Sequence, residues 1–262
     1  MMTGSLYGLI EEKRGKMIIK LADRIVGISS LFQYMELYCD DYVVKSGSDK
    51  VKPDFSIEIT QADIDHERRK SEQKDIAEGI SVRENSDAYL ETLAVYRKIA
   101  EIMPSYDTIL MHGSSIAVDG KGYLFTAKSG TGKSTHTRLW RELLGQRAVM
   151  INDDKPLIRV NDDGSAVVYG TPWDGKHRLS SSIAVPLKVI CILERGKENS
   201  ISEVVKEDVY PMLLQQIYRS SDRQVMEQTI KLIDRLDVKL FKLSCNMDPG
   251  AAMLSFNTMS QI

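Results

Sequence analysis

Residues 127–134 read Ala-Lys-Ser-Gly-Thr-Gly-Lys-Ser, directly after the apolar run 123–127 and before a helical pattern at 135–144. Gly130 and Gly132 let the backbone fold into a concave row of N–H groups with no side chain in the way. The first turn of the following helix adds its partial positive charge. A chain of this length would contain such a pattern by chance about one time in fifty. The stretch therefore predicts a phosphate-binding loop, with Ala127 where glycine is also common.

Each residue type in this loop suits one part of a nucleotide. Lys133 can reach the β- and γ-phosphates as a mobile point charge, and the hydroxyl of Ser134 can ligate Mg²⁺. We therefore predict ATP and Mg²⁺ as cofactors. The predicted nucleotide-binding residues are Ser129, Gly130, Thr131, Gly132, Lys133, Ser134 and Thr135.

The segments around the loop predict an α/β fold. Residues 115–127 read as a hairpin, because Asp119-Gly120 supplies the positive φ that such turns require. The strand 148–151 and the strand-like pairs through 157–170 follow the loop helix, and 187–193 is a further buried strand. Helices at about 207–217 and 223–236, a strand at 238–243 and a last helix after Asp248-Pro249 complete the chain.

A pair of carboxylates, Asp153-Asp154, follows the strand 148–151 at a distance of one residue. One carboxylate could hold Mg²⁺ while the other accepts a proton from an attacking hydroxyl, which is the functional interpretation that we favour. The alternative is a surface turn rich in Asp and Asn. We interpret 162–164, Asp-Asp-Gly, as such a simple turn between two strands.

Histidines and cations beside the loop are further candidates. His112 ends a strand just before the hairpin and is either a polar partner of the carboxylate or γ-phosphate, or a structural histidine. Lys176, His177 and Arg178 lie in the loop 170–178 and could hold the transferring phosphoryl group or an acidic substrate, the alternative being a solvated loop. We expect His136, in the first turn of the loop helix, to lie on the helix surface.

Taken together, the run His112-Gly113, the hairpin, the loop 129–134 and the pair Asp153-Asp154 resemble the HPr kinase/phosphorylase family. More loosely, they resemble ATP-dependent phosphoenolpyruvate carboxykinases. The resemblance implies their P-loop kinase core, a mixed sheet with flanking helices whose loop is entered from an antiparallel hairpin. It also implies Asp153 as catalytic base, Asp154 as metal-side carboxylate with Ser134, and His112 beside the base, the order of the two aspartate roles being open.

The chain also departs from both families. The Arg-Gly-Leu-Gly signature of HPr kinases is not found after the acidic pair, and 170–178 stands in its place. We therefore doubt HPr as the substrate. The basic set of a carboxykinase cannot be placed either. Shorter relatives that phosphorylate a serine hydroxyl on a peptide or small molecule fit the length better.

Composition bounds the remaining choices. The 262 residues carry a net charge of −2, which argues against a nucleic-acid partner, and no apolar run is long enough to span a membrane. Three widely spaced cysteines form no disulfide framework, and Cys191 reads as a buried strand thiol. We expect a cytoplasmic protein, with oligomerisation left open.

The sequence also predicts a division into two regions. We expect a small β-rich region at 1–80, with 63–75 an exposed loop or helix. A kinase domain is expected at 81–262, and its first helix is expected to run from about 86 to 103.

The favoured function is a Mg²⁺-dependent kinase that transfers the γ-phosphoryl group of ATP to a hydroxyl, with Asp153, His112 and Lys133 as catalytic residues. One alternative is a nucleotide-binding switch protein without phosphotransfer. A carboxykinase-like enzyme is a weaker third hypothesis.

Overall fold

The chain divides into two units, Met1–Glu101 and Ile102–Ile262, so the division lies later than the boundary predicted at 80/81. The structure, a computed structural model, describes residues 12–45, 51–175 and 177–262. Its helix α3 (Asp87–Ile102) matches the helix predicted at about 86–103. All but the last residue of this helix belong to the first unit rather than to the unit that holds the phosphate loop.

The first unit combines a three-stranded sheet with helices. Strands β1 (Glu12–Leu21) and β2 (Arg24–Phe32) form an antiparallel hairpin, and β3 (Phe55–Glu58) pairs in parallel with β2. The helices are α1 (Tyr34–Tyr38), α2 (Gln61–Ala77) and α3. All three strands lie within the region 1–80 that was expected to be β-rich.

Helix α2 confirms the helical alternative of the exposed loop or helix expected at 63–75, although Ile64, Glu67 and Asp75 are buried. It spans 17 residues, and apolar residues show almost no periodicity along it. Ion pairs hold its buried side instead: Glu67 Oε1 accepts from Arg97 Nε at 2.6 Å, and Asp75 Oδ1 accepts from Arg83 Nη2 at 2.5 Å. Hydrophobic periodicity detects an apolar stripe and does not detect a helix that is anchored by charges.

The second unit contains one mixed sheet of nine strands with helices packed against it. The strands are β4 (Thr108–Leu110), β5 (Ser114–Val118), β6 (Lys121–Thr126), β7 (Ala148–Asn152), β8 (Leu157–Val160), β9 (Ala166–Tyr169), β10 (Ala184–Arg195), β11 (Ser200–Glu203) and β12 (Lys239–Cys245). The helices are α4 (Lys133–Leu144), α5 (Lys206–Gln216), α6 (Arg223–Arg235) and α7 (Pro249–Met259). This confirms the α/β class and the mixed sheet with flanking helices.

Strand order in this sheet is β4-β8-β9-β10-β6-β5-β7, and β12 pairs with β10 and β11. The hairpin β5–β6 is antiparallel, and its turn residues Asp119 and Gly120 have φ of 50° and 77°, as the sequence predicted. The 162–164 turn also joins two antiparallel strands, β8 and β9, as predicted. Strand β10 runs parallel to both β6 and β12, so the three strands end at the same edge of the sheet.

Apolar clusters cover both faces of the sheet. One contains Leu213, Ile217 and Leu232 from the α5–α6 region, and the other contains Trp140 from α4 and Met259 from α7. Cys191 is fully buried in β10, which confirms the predicted strand thiol. Across the described ranges, each helix is too short or too polar to cross a membrane.

Candidate active site

The loop between β6 and α4 has the backbone that its glycines were expected to allow. Gly130 and Gly132 have φ of 78° and 123°, in the region that side chains rarely enter. Helix α4 starts at Lys133, two residues earlier than its apolar pattern indicated. The hairpin therefore leads directly into a glycine turn and then into a helix N-terminus, an arrangement that can bind phosphate.

Lys133 lies inside this turn. Its Nζ donates to Ala127 O at 3.0 Å, and the residue is only 7% exposed. Burial lowers the pKa of Lys133, and the carboxylates of Asp154 and Asp153 act in the opposite direction. Ser134, on the first turn of α4, is exposed.

Asp153 is linked to the loop helix by a chain of hydroxyl groups. Its Oδ1 accepts from Ser114 Oγ at 2.6 Å, and Ser114 Oγ lies 2.8 Å from Thr137 Oγ1. Thr137 Oγ1 in turn lies 3.3 Å from Lys133 O. Sequence reasoning missed Ser114 and Thr137, although each lies within four residues of a predicted site residue.

His112 faces Asp154. Its Nε2 lies 3.4 Å from Asp154 Oδ1, and its Nδ1 lies 3.2 Å from Gln216 Oε1. Burial, assisted by the charge of Lys133, lowers the pKa of His112, while Asp154 raises it. Lys155 Nζ lies 3.4 Å from the other oxygen of Asp154. The resemblance implied a histidine beside the base, and the structure gives His112 the second aspartate as its carboxylate partner.

The backbone of His112 is held by the segment that follows α5. His112 N donates to Gln216 O at 2.6 Å, and Tyr218 N donates to Leu110 O at 2.9 Å. A β-bridge joins Met111 and Ile217 between these two bonds. Gln216 was not predicted as a site residue, because nothing within the sequence links residues 112 and 216.

The loop 170–178 lies against the end of β7. Asn152 Nδ2 donates to Thr171 O and to Thr171 Oγ1, each at 3.0 Å. A Cβ added at Gly175 would lie 3.0 Å from Asp153 Oδ2, so the loop backbone passes close to the carboxylate. This proximity fits the interpretation that the loop contributes to an acceptor site.

The structure describes two of the three residues of this loop that were predicted to bind substrate. Lys176 lies outside the described residues. His177 is exposed. Arg178 is also exposed, and its Nη1 lies 3.3 Å from Asp174 Oδ1.

His136 corrects one expectation, because it is not on the helix surface but 2% exposed. Its Nε2 lies 3.0 Å from Ser255 Oγ, which donates to Ala252 O and accepts from Trp140 Nε1. The hydroxyl has only one proton, so His136 must donate from Nε2. His136 therefore ties the loop helix to α7 as a neutral structural side chain.

Burial lowers the pKa of His136 to about 4, against about 6.5 in an unfolded chain. Between pH 6.5 and about pH 4, the imidazole of His136 is protonated in the unfolded state but stays neutral in the folded state. Lowering the pH in this range therefore favours unfolding. We expect wild-type protein to lose roughly 1.5 kcal/mol more stability than His136→Gln between pH 6.5 and pH 5. Urea unfolding at both pH values measures this difference, and parallel losses would contradict it.

The oxygen donors at this edge fit a magnesium ion of the nucleotide-bound type. Mg²⁺ is usually held by one or two protein oxygens, with substrate phosphates and water completing its shell. Asp154, whose side chain is 31% exposed, and the Ser134 hydroxyl could supply those oxygens. In the part of the chain that the structure describes, no three His, Cys, Asp or Glu side chains converge on a metal position.

Neither a protein-family model nor a curated protein matches the sequence. Among solved structures, the HPr(Ser) kinase/phosphatase from Coxiella burnetii matches with a TM-score of 0.34 and 9% sequence identity. The match covers 58% of this chain and 93% of that one.

Proposed function

We propose that the unit Ile102–Ile262 is an ATP-dependent phosphotransferase whose acceptor is a hydroxyl group of serine type, on a peptide, protein or small molecule. The observation that carries the proposal is the position of Asp153. This carboxylate is 7% exposed and is joined through Ser114 and Thr137 to the helix that follows the phosphate loop. A base fixed relative to the phosphates is what transfer to a hydroxyl requires.

The residues divide the work by charge and position. Lys133 neutralises the phosphates from inside the loop, and the N–H groups around Gly130 and Gly132 orient them. Asp154 and Ser134 would hold Mg²⁺, which supplies further neutralisation of phosphate charge. His112 holds Asp154 in place, since its ring lies between that carboxylate and Gln216.

The two carboxylate oxygens of Asp153 have different roles in this proposal, one in holding the side chain and the other in accepting a proton. Oδ1 accepts from Ser114, and Oδ2 faces the backbone of Gly175. Oδ2 would accept the proton of the attacking hydroxyl while the acceptor oxygen bonds to the γ-phosphorus and the bond to ADP breaks. Proton, phosphoryl group and leaving group are then all accounted for.

An ATP-consumption assay tests the proposal. ATP is supplied with Mg²⁺ and a panel of serine, serine-containing peptides and HPr, and phosphorylated product is identified by mass. We expect ADP formation that depends on one acceptor class. ATP binding with slow hydrolysis whatever the acceptor would instead indicate a nucleotide-binding switch protein.

A Gly175→Ala variant tests the acceptor side separately. The added methyl group would lie 3.0 Å from Asp153 Oδ2, where the acceptor hydroxyl must approach. We expect turnover with the acceptor to fall about tenfold or more, because small misplacements of reacting groups are costly. ATP affinity serves as the control and should stay at its wild-type value, and a cooperative thermal unfolding transition shows that the variant is folded. Unchanged turnover would place the acceptor elsewhere.

A further inference from the structure

We propose that the nucleoside end of the nucleotide lies over the carboxyl ends of β10 and β12, with its base against Met247 and Arg195 beside its phosphates. This inference rests on the proposed function, since it concerns the nucleotide that the phosphate loop would bind. None of the residues involved was part of the predicted site.

The order and direction of the strands determine which strand ends lie beside the phosphate loop. Strands β6, β10 and β12 are parallel, with Ile192 beside Thr126 and Arg195 beside Cys245. Strand β7 is antiparallel to β5, which is antiparallel to β6, so β7 also ends at this edge. The phosphate loop therefore lies between the end of β7 on one side and the ends of β10 and β12 on the other.

The positions of the carboxylates then set the direction of the nucleotide. Asp153 and Asp154 follow β7, and the γ-phosphate must meet them there for transfer to occur. The rest of the nucleotide has to leave the loop on the opposite side, toward β10 and β12. Two strand spacings amount to about 10 Å, a distance that a nucleoside can span beyond its phosphates. Ligands of α/β sheets commonly bind outside the carboxyl ends of parallel strands.

Arg195 links this side to the phosphate loop. It is the last residue of β10, and its Nη2 donates to Gly130 O in the centre of the loop. The residue is exposed, so its charge lies at the surface beside the loop. A guanidinium has five N–H donors in a fixed fork and binds phosphate well. Arg195 is therefore placed to contact the phosphates nearest the nucleoside.

Met247 supplies an apolar surface beyond Arg195. It follows β12 by two residues and is 77% exposed. The loops around it are tied together, since Asn246 N donates to Asn199 Oδ1 at 2.9 Å and Asn246 Nδ2 donates to Lys197 O at 3.3 Å. A methionine side chain adapts to a flat ring and makes favourable sulfur–aromatic contacts. An exposed thioether on a braced turn is suited to one face of a base.

Binding of ATP and of inorganic tripolyphosphate to the full-length protein separates the two ends of the ligand. We expect Met247→Ala to weaken ATP about fivefold or more and to leave tripolyphosphate unchanged. Arg195→Ala should weaken both ligands. Met253→Ala is the matched control, because Met253 is also exposed, at 52%, but lies within α7. Methyl NMR adds a direct readout: the Met247 signal should shift with ATP and not with tripolyphosphate.

The outcomes are distinguishable. Wild-type ATP affinity in Met247→Ala together with an unmoved methyl signal would overturn the nucleoside position and leave the proposed function intact. Equal affinity of the wild type for ATP and tripolyphosphate would do the same. A wild type that binds neither ligand would overturn the proposed function and this inference with it.

Discussion

An Asp153→Asn variant is expected to transfer the phosphoryl group about a thousandfold more slowly than the wild type while binding ATP normally. Asparagine has the shape of aspartate and its carbonyl oxygen can still accept from Ser114 Oγ. It cannot take the proton of the acceptor hydroxyl, so the loss falls on the chemical step. Single-turnover rates with saturating ATP and acceptor measure the effect apart from binding.

Two variants accompany this experiment. Asp162→Asn changes an exposed aspartate in the β8–β9 turn and should keep full turnover. Asp154→Asn should raise the Mg²⁺ concentration needed for half-maximal rate, since that carboxylate is assigned to the metal. If Asp153→Asn kept full turnover and Asp154→Asn lost it, the two aspartate roles would be exchanged.

Replacing Lys133 by methionine is expected to weaken ATP binding and turnover together, with a combined loss of about a hundredfold to a thousandfold. Methionine fills a similar volume in this 7%-exposed position but removes the charge and the donor to Ala127 O. No other described cation is held inside the loop in this way. Calorimetry with ATP and the acceptor assay measure the two effects.

Lys128 offers a matched control within the same loop. It is exposed, so Lys128→Met removes an equal charge from the surface rather than from the interior of the turn. We expect its effect on ATP affinity to be small and to vanish at high salt, because exposed charges are screened. Equal losses in the two variants would mean that only net charge matters, and Lys133 would lose its assigned role.

The fold of the second unit was largely predictable because local signals decide most of it. The turn at Asp119-Gly120, the loop 127–134 and the helix start at Asp248-Pro249 each depend on only a few residues. The order of the nine strands was not predictable in the same way, since it depends on which distant runs pair. Helix α2 could be predicted only as a loop or helix, because Arg97 and Arg83 anchor it by charge instead of by an apolar stripe.

The residues of the candidate site also differ in whether local signals in the sequence identify them. Lys133, Asp153 and His112 stand next to recognisable motifs, so the sequence could nominate them. Arg195 lies beside the phosphate loop because of the register of β10 in the sheet. Gln216 contacts His112, which is 104 positions away in the sequence. Sequence patterns encode neither relation. The burial of His136 was missed because its neighbour, Ser255, lies on a helix at the other end of the chain.

The segment that follows α5 also has a consequence for association between molecules. Strand β4 stands at one end of the strand order, so it is an edge strand. An uncovered edge strand can pair with a strand of a second chain. Residues 216–218 occupy backbone groups of 110–112 along this edge. The contacts that hold His112 therefore also shield the sheet from edge-to-edge aggregation. Substitutions that loosen this segment should lower solubility along with activity.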